Sequence, residues 1–141
     1  MGENMQSKLI VGIGASAGGL QPSQEFFTAL EDSVEAVFII VQHLSPDFKS
    51  EMPQLLARHT KMPIHVAEDG MSLHAGHVYL NVSQSDVCVD GDKLSVKRHK
   101  PQAELHRPID ALFDSLAQVG PSAVAMVFSG SGSDGSGGLT S

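Results

Sequence analysis

Apolar residues fall along this chain in short, dense runs, separated by stretches with a helical or a polar rhythm. Lys8 to Gly14 (KLIVGIG), Ala36 to Val41 (AVFIIV) and Ala123 to Phe128 (AVAMVF) are continuous and β-branched-rich, the pattern of strands buried on both faces of a parallel sheet. Ile64 to Ala67, closed by Asp69-Gly70, predicts a further strand. Between these runs the period lengthens. Phe26, Phe27 and Leu30 share a face and predict a helix over Pro22 to Leu30, with the proline in its first turn. Met52, Leu55, Leu56 and His59 form a stripe on a helix over Lys49 to His59, where Pro53 sits in the first turn or kinks it. Ile109, Leu112, Phe113 and Leu116 repeat at i, i+3, i+4, i+7 and predict an amphipathic helix over Pro108 to Val119.

The middle of the chain alternates instead. Val78 to Val82, Val87 to Val89 and Leu94 to Val96 read as a small antiparallel insert, with Asp90-Gly91 as the turn between the last two strands. The full order implies an α/β fold, a doubly wound, mostly parallel sheet in three layers, Rossmann-like, carrying that hairpin insert. There is no internal repeat. In such sheets ligands bind beyond the carboxyl ends of the strands. That rule directs attention to Gly14–Gly19, Gln42–Lys49 and Ser129–Gly138.

Composition narrows the classes. The 141 residues are one domain's worth; 41% hydrophobic and 18% charged residues suit a globular core. Nine Lys and Arg against 16 Asp and Glu leave a net charge of −7, which argues against gripping nucleic-acid phosphates or an anionic membrane. A single cysteine, Cys88, cannot close an internal disulfide, so a reducing compartment is expected. No apolar run is long enough to span a membrane, and Met1 to Gln6 lacks the features of a signal peptide. A cytoplasmic protein with no direct membrane insertion is expected. Nine of the 14 glycines gather in two places: Gly12, Gly14, Gly18 and Gly19, and then Gly130, Gly132, Gly135, Gly137 and Gly138.

Gly14-Ala15-Ser16-Ala17-Gly18 fits G-x-S-x-G, the strand-to-helix elbow that exposes a serine hydroxyl, and its glycines relieve clashes in a sharp bend. The helix that follows offers free N–H groups for an oxyanion. Gly12-Ile13-Gly14-Ala15-Ser16-Ala17 also fits the dinucleotide template G-x-G-x-x-G/A. That template wants a carboxylate at the end of the second strand. Here His43 stands there, and Asp32, at about the right spacing, precedes the strand. A serine nucleophile needs an imidazole to take its proton, and His43 is placed to face Ser16 across the sheet end. Asp134, among glycines, fits best as the third member. Asp69 reads more simply as a turn and Asp47 as a helix cap, while by composition alone the tail would be a Gly/Ser linker. Among the other histidines, His59 reads as structural. His74-Ala75-Gly76-His77 lacks a further ligand type at metal-binding spacing, so no metal and no cofactor is expected. The basic run Lys97-Arg98-His99-Lys100 reads as solvated surface or, more sharply, as an approach site for an acidic partner.

Taken in order, these segments resemble the catalytic domain of CheB-type protein-glutamate methylesterases. The matching pieces are Gly14-Ala15-Ser16-Ala17-Gly18-Gly19, Val41-Gln42-His43, Glu68-Asp69-Gly70 with Gly76-His77-Val78-Tyr79-Leu80, His106-Arg107-Pro108-Ile109-Asp110, and Ser129-Gly130-Ser131-Gly132-Ser133-Asp134-Gly135. The resemblance implies a serine hydrolase of bacterial chemotaxis and two-component signalling. Ser16 would be the nucleophile, His43 the general base and Asp134 its orienting carboxylate, with backbone donors near Ala17 and Ser131. His106-Arg107-Pro108 would fix the entry to the following helix, with Arg107 a candidate for lining the cleft. The implied substrates are glutamyl γ-methyl esters on the cytoplasmic helices of methyl-accepting chemoreceptors, with glutamine deamidation in some members. Ala17 replaces the family's frequent Thr and Ser131 its frequent Met. The wording looks most like esterase modules fused to a CheR-type methyltransferase. Residues 1–7 are then expected to be a flexible N-terminus, and 8–141 the methylesterase domain without its last C-terminal elements, with an incomplete sheet and weak or no activity. The alternatives are a nucleotide- or phosphate-binding module and a silent interaction fragment.

Overall fold

A computed structural model describes residues 9–15, 20–30, 34–42, 52–82, 85–98, 107–120 and 122–128. In chain order they form β1 (Leu9–Ala15), α1 (Leu20–Ala29), β2 (Ala36–Gln42), α2 (Met52–Leu56), β3 (Ile64–Val66), β4 (Val78–Leu80), β5 (Ser85–Asp90), β6 (Lys93–Arg98), α3 (Pro108–Val119) and β7 (Ala123–Phe128). The main sheet has the order β3-β4-β2-β1-β7, and all its pairs are parallel. The antiparallel β5–β6 pair stands apart. From β1 the chain steps outward through β2, then returns through α3 to set β7 on β1's other side. This reversal is the switch point of a doubly wound sheet.

Each central strand sends alternate residues to opposite layers, as the pleat requires. Ile10, Val37, Ile39 and Val41 join Ile109, Leu112, Phe113 and Leu116 of α3 and the hairpin's Val87, Val89 and Leu94. Val11, Ile13, Ala15, Phe38 and Ile40 join Phe27 of α1, Leu56 of α2 and Met62. Aromatic contacts seat α1 on β2 and β7, the two strands that flank β1. The Phe26 ring lies 6.1 Å from that of Phe38 in β2 and 5.6 Å from that of Phe128 in β7, and Phe27 lies 5.4 Å from Phe38. Such edge-to-face and tilted pairs add about 0.5–1.5 kcal/mol each beyond simple burial.

Predicted and observed elements agree closely for β1, β2, α3 and β7, where the apolar pattern is strongest. Helix α1 begins at Leu20, before the predicted Pro22. Helix α2 is only Met52–Leu56; the turn after it closes with His59 N–H on the Leu56 carbonyl (2.8 Å). One expectation is overturned. Val78–Leu80 is not part of the antiparallel insert but a parallel strand of the main sheet, between β2 and β3. The apparent alternation arose from Tyr79 and Asn81, both buried polar-tipped residues rather than solvent-facing ones. The Tyr79 hydroxyl accepts the His74 N–H (2.8 Å) and donates to the Ser72 carbonyl (3.1 Å), which satisfies it inside the core. In the hairpin Asp90 pairs with Lys93, so the two-residue turn is Gly91-Asp92, with Gly91 at φ +64°.

The glycines of β1 have a role the sequence reading did not assign. They lie inside the strand, at negative φ or extended backbone, so the bend does not explain them. A Cβ on Gly12 would run into Leu116 and Leu112 of α3, and one on Gly14 into Ile109. The pair lets α3 approach the sheet closely. Gly14→Ala should therefore destabilise the domain by about 1–3 kcal/mol through overpacking. Combining it with Ile109→Ala, which removes the Cγ2 that the new Cβ would meet, should recover part of the loss. Urea unfolding of the two single variants and the double variant measures this coupling. Additive losses would mean that the two positions do not share the interface.

Candidate active site

Three strand ends converge on the carboxyl edge of the sheet. In the register of the central strands, Ala15 of β1 is the Cα partner of both Gln42 of β2 and Phe128 of β7. The next residue in each case is Ser16, His43 or Ser129, the last opening the glycine-rich segment that carries Asp134. The fold thus launches the three candidate segments from one level of three adjacent strands. Ser16, Ala17, His43, Ser131 and Asp134 themselves lie outside the described residues, as do His99, His106, Asp32 and Asp47.

Helix α3 brings a fourth element to this edge. Ile109 packs at Gly14 and Leu116 at Gly12, so the helix runs antiparallel to β1 and its amino end lies near Ala15. Pro108 occupies the first turn, and Asp110 adds a carboxylate there. Arg107, directly before the helix, is half-exposed and lies 3.6 Å from the Asp110 carboxylate. This places the candidate cleft residue at the same edge as the Ser16 segment. The guanidinium half of this pair is exposed and the carboxylate half largely buried, so the Arg107 head group faces solvent at this edge.

The end of β2 is held by a contact that sequence reasoning missed. The Gln42 N–H donates to Asn81 Oδ1 (2.9 Å), and Asn81 Nδ2 donates to the Gln42 carbonyl (2.9 Å). Asn81 is 6% exposed. The only sequence signal was a polar residue within the alternating run Val78 to Val82, where it reads as solvent-facing.

The other candidates resolve into structure. The Asp69 carboxylate accepts the Val96 N–H (2.9 Å) and Gly70 takes φ +80°, so this segment is a turn pinned to β6. His59 Nδ1 is 2.9 Å from the Thr28 hydroxyl and ties the end of α2 to α1. His77 lies against His65 of β3: His65 Nε2 is 2.8 Å from His77 Nδ1, with the rings parallel to within 4°. Among the described residues no group of three or more His, Cys, Asp or Glu is arranged to hold a metal ion. In the basic run, Lys97 stands opposite Asp86 across the hairpin, whereas Arg98 stands opposite Ser85. A cross-strand acid therefore faces one charge of the run. Cys88, half-buried, points its thiol at the Ala111 carbonyl (3.6 Å), and burial pushes its pKa up, the reverse of a reactive thiol. Among the described residues no helix is long and apolar enough to cross a membrane.

The family model for the CheB methylesterase matches residues 11–141. The chain belongs to this family. It is 35% identical to a protein-glutamate methylesterase/protein-glutamine glutaminase of Paramagnetospirillum magneticum, over 92% of this chain and 37% of the relative. It is 32% identical to the Salmonella typhimurium protein of that name, over 98% of this chain and 41% of the relative. The chain thus spans about two fifths of these curated relatives. The crystal structure of the Thermotoga maritima CheB methylesterase catalytic domain superposes with a TM-score of 0.80 at 26% identity, covering 95% of this chain and 74% of that one. The CheB catalytic fold accounts for the parallel sheet and for the convergence of β1, β2 and β7 on one edge.

The histidine pair makes a separate prediction. Burial, then the nearby His65 and His74, hold the His77 pKa below its ordinary value. A depressed histidine pKa means that the unfolded chain takes up a proton more readily than the native state. Stability is then full above about pH 6.5 and declines as pH falls below it toward the native pKa. The urea midpoint of the wild type should drop between pH 7.5 and 5 by more than that of His77→Gln. Parallel pH profiles for the two proteins would contradict this.

Proposed function

We propose that this CheB-family chain is a serine esterase that removes methyl groups from glutamyl γ-methyl esters on chemoreceptors. The observation that carries the reading is the shared register of Ala15, Gln42 and Phe128, which starts the Ser16, His43 and Asp134 segments side by side. The names of the relatives, protein-glutamate methylesterase/protein-glutamine glutaminase, supply the substrate class and the second activity, deamidation of glutamine.

In this reading His43 takes the Ser16 hydroxyl proton as the serine oxygen attacks the ester carbonyl. Backbone N–H groups at Ala17 and Ser131 hold the oxyanion. The tetrahedral intermediate collapses, and His43 returns the proton to the departing methoxide, which leaves as methanol. Water, deprotonated by His43, then cleaves the acyl-serine to free glutamate and restore Ser16. Asp134 holds the imidazole in the productive tautomer and stabilises its charged form. Arg107, at the amino end of α3, lines the cleft and orients the receptor segment. The chemistry needs no cofactor or metal. The substrate helices place the enzyme in the cytoplasm, and a CheR-type methyltransferase, fused or associated, is the partner whose product it consumes.

A nucleotide-binding reading of the first glycines has less support. Gly12 and Gly14, the first two positions of that template, are taken up by the packing of α3. Ser16→Ala should lower methanol release from methylated receptor by about 10³-fold or more, to the level that binding and the oxyanion hole alone sustain. Equal rates would overturn the reading. Arg107→Ala should raise KM severalfold with a smaller change in kcat, as expected when binding rather than chemistry is lost. A loss confined to kcat would move Arg107 out of the binding role.

A further inference from the structure

Asn81 completes a ladder that its own strand abandons. In the β2–β4 pair, Ile40 is the Cα partner of Leu80, and the Asn81 N–H donates to the Ile40 carbonyl (3.2 Å) in the ordinary parallel pattern. Strand β4 ends at Leu80. Gln42, two residues beyond Ile40, directs its N–H and carbonyl to the same side and would meet backbone groups of a continuing β4. One side chain meets both instead. The Asn81 carboxamide accepts from the Gln42 N–H and donates to the Gln42 carbonyl, each at 2.9 Å, as a peptide group would.

The position of this contact is what matters. The Gln42 carbonyl belongs to the planar peptide unit that also contains the His43 nitrogen and Cα. Holding that oxygen and the Gln42 N–H fixes the plane, and with it the direction in which the chain leaves β2 toward His43. On its other side Gln42 is in register with Ala15, the residue before Ser16, so the same strand end is braced between β1 and Asn81. Asn81 is buried, so water competes little for its carboxamide and the two bonds favour a single arrangement.

We propose that Asn81 is a positioning residue for His43: its carboxamide sets the Gln42–His43 peptide and so the reach of the imidazole toward Ser16. The inference rests on the reading of His43 as the general base. Angstrom-scale misplacement of a catalytic group lowers rates by up to about a hundredfold without loss of binding, and this is the effect expected here.

The test compares wild type, Asn81→Leu and Asn81→Asp. The first removes both hydrogen bonds; the second keeps the acceptor and turns the donor into an oxygen facing the Gln42 carbonyl. Three readouts are taken on the folded fraction: kcat and KM for methanol release from methylated receptor, far-UV circular dichroism, and the imidazole resonances of His43 followed by NMR against pH. The expected result is a tenfold to hundredfold fall in kcat with KM within about twofold, together with a shifted His43 titration, in whichever variant folds. Wild-type kcat and an unchanged His43 titration in a folded variant would overturn the proposal. If the wild type releases no methanol, the esterase reading fails, while the His43 titration still decides whether Asn81 governs that side chain. If only Asn81→Asp folds, its kcat and His43 titration decide in the same way.

Discussion

The close seating of α3 on β1 is the constraint on which the rest of the fold depends. Two glycines in one strand leave no Cβ between the helix and the sheet, and Ile109, Leu112 and Leu116 fill that space. Because the contact pairs Ile109 with Gly14 and Leu116 with Gly12, it sets both the direction and the height of the helix. The chain leaving α3 turns at Gly120, whose φ of +96° suits glycine alone among the common residues, and enters β7 directly beside β1. A bulkier strand would lift α3 and separate β7 from the edge where β1 and β2 end. The glycines near the candidate serine thus act through packing beneath it as much as through the bend.

The opposite face solves a different problem. Helix α1 must follow β1 after a short connection and still cover β2 and β7. Phe26 and Phe27 do this with adjacent rings, Phe26 reaching both Phe38 and Phe128. Adjacent helical residues point about 100° apart, so two neighbouring aromatics cover a wider arc than an i, i+4 pair. The two layers therefore hold the same three strands by unlike means, one by removing side chains and the other by enlarging them. Strands held from both faces keep their ends level. Level strand ends are what a site assembled from three separate segments requires.

Much of this was legible in the sequence, and the exceptions have physical causes. Continuous apolar runs identify β1, β2 and β7 because strands buried on both faces have no polar alternation to confuse them. The α3 stripe is equally plain, since one helix face is buried and the other wet. Strand β4 was misassigned because a polar-tipped residue looks solvated in a sequence even when its hydroxyl or carboxamide is satisfied indoors. Tyr79 and Asn81 are both of this kind. The candidate serine, histidine and aspartate were legible through motif spacing, which reports what must lie at a strand end. The support beneath them was not. Gly14 looked like part of a turn, and Asn81 carried no motif at all, because packing and pairing across strands depend on neighbours far away in sequence.

That distinction bears on how such a site tolerates change. A loop residue that reaches the reacting atoms is constrained by chemistry, whereas the strand end beneath it is constrained only by geometry. In this chain the end of β2 is tied by backbone pairing to β1 on one side and by a single buried side chain on the other. Backbone pairing is indifferent to residue type; the side-chain tie is not. Of two otherwise equal supports, the one made by a side chain is the one a substitution can remove without disturbing the sheet. Where a candidate base follows a strand that outlasts its neighbour, the last rung beyond that neighbour is therefore the place to look for residues that act on the base without touching it. Asn81 occupies that rung here, buried, with both of its polar groups committed to the residue before His43.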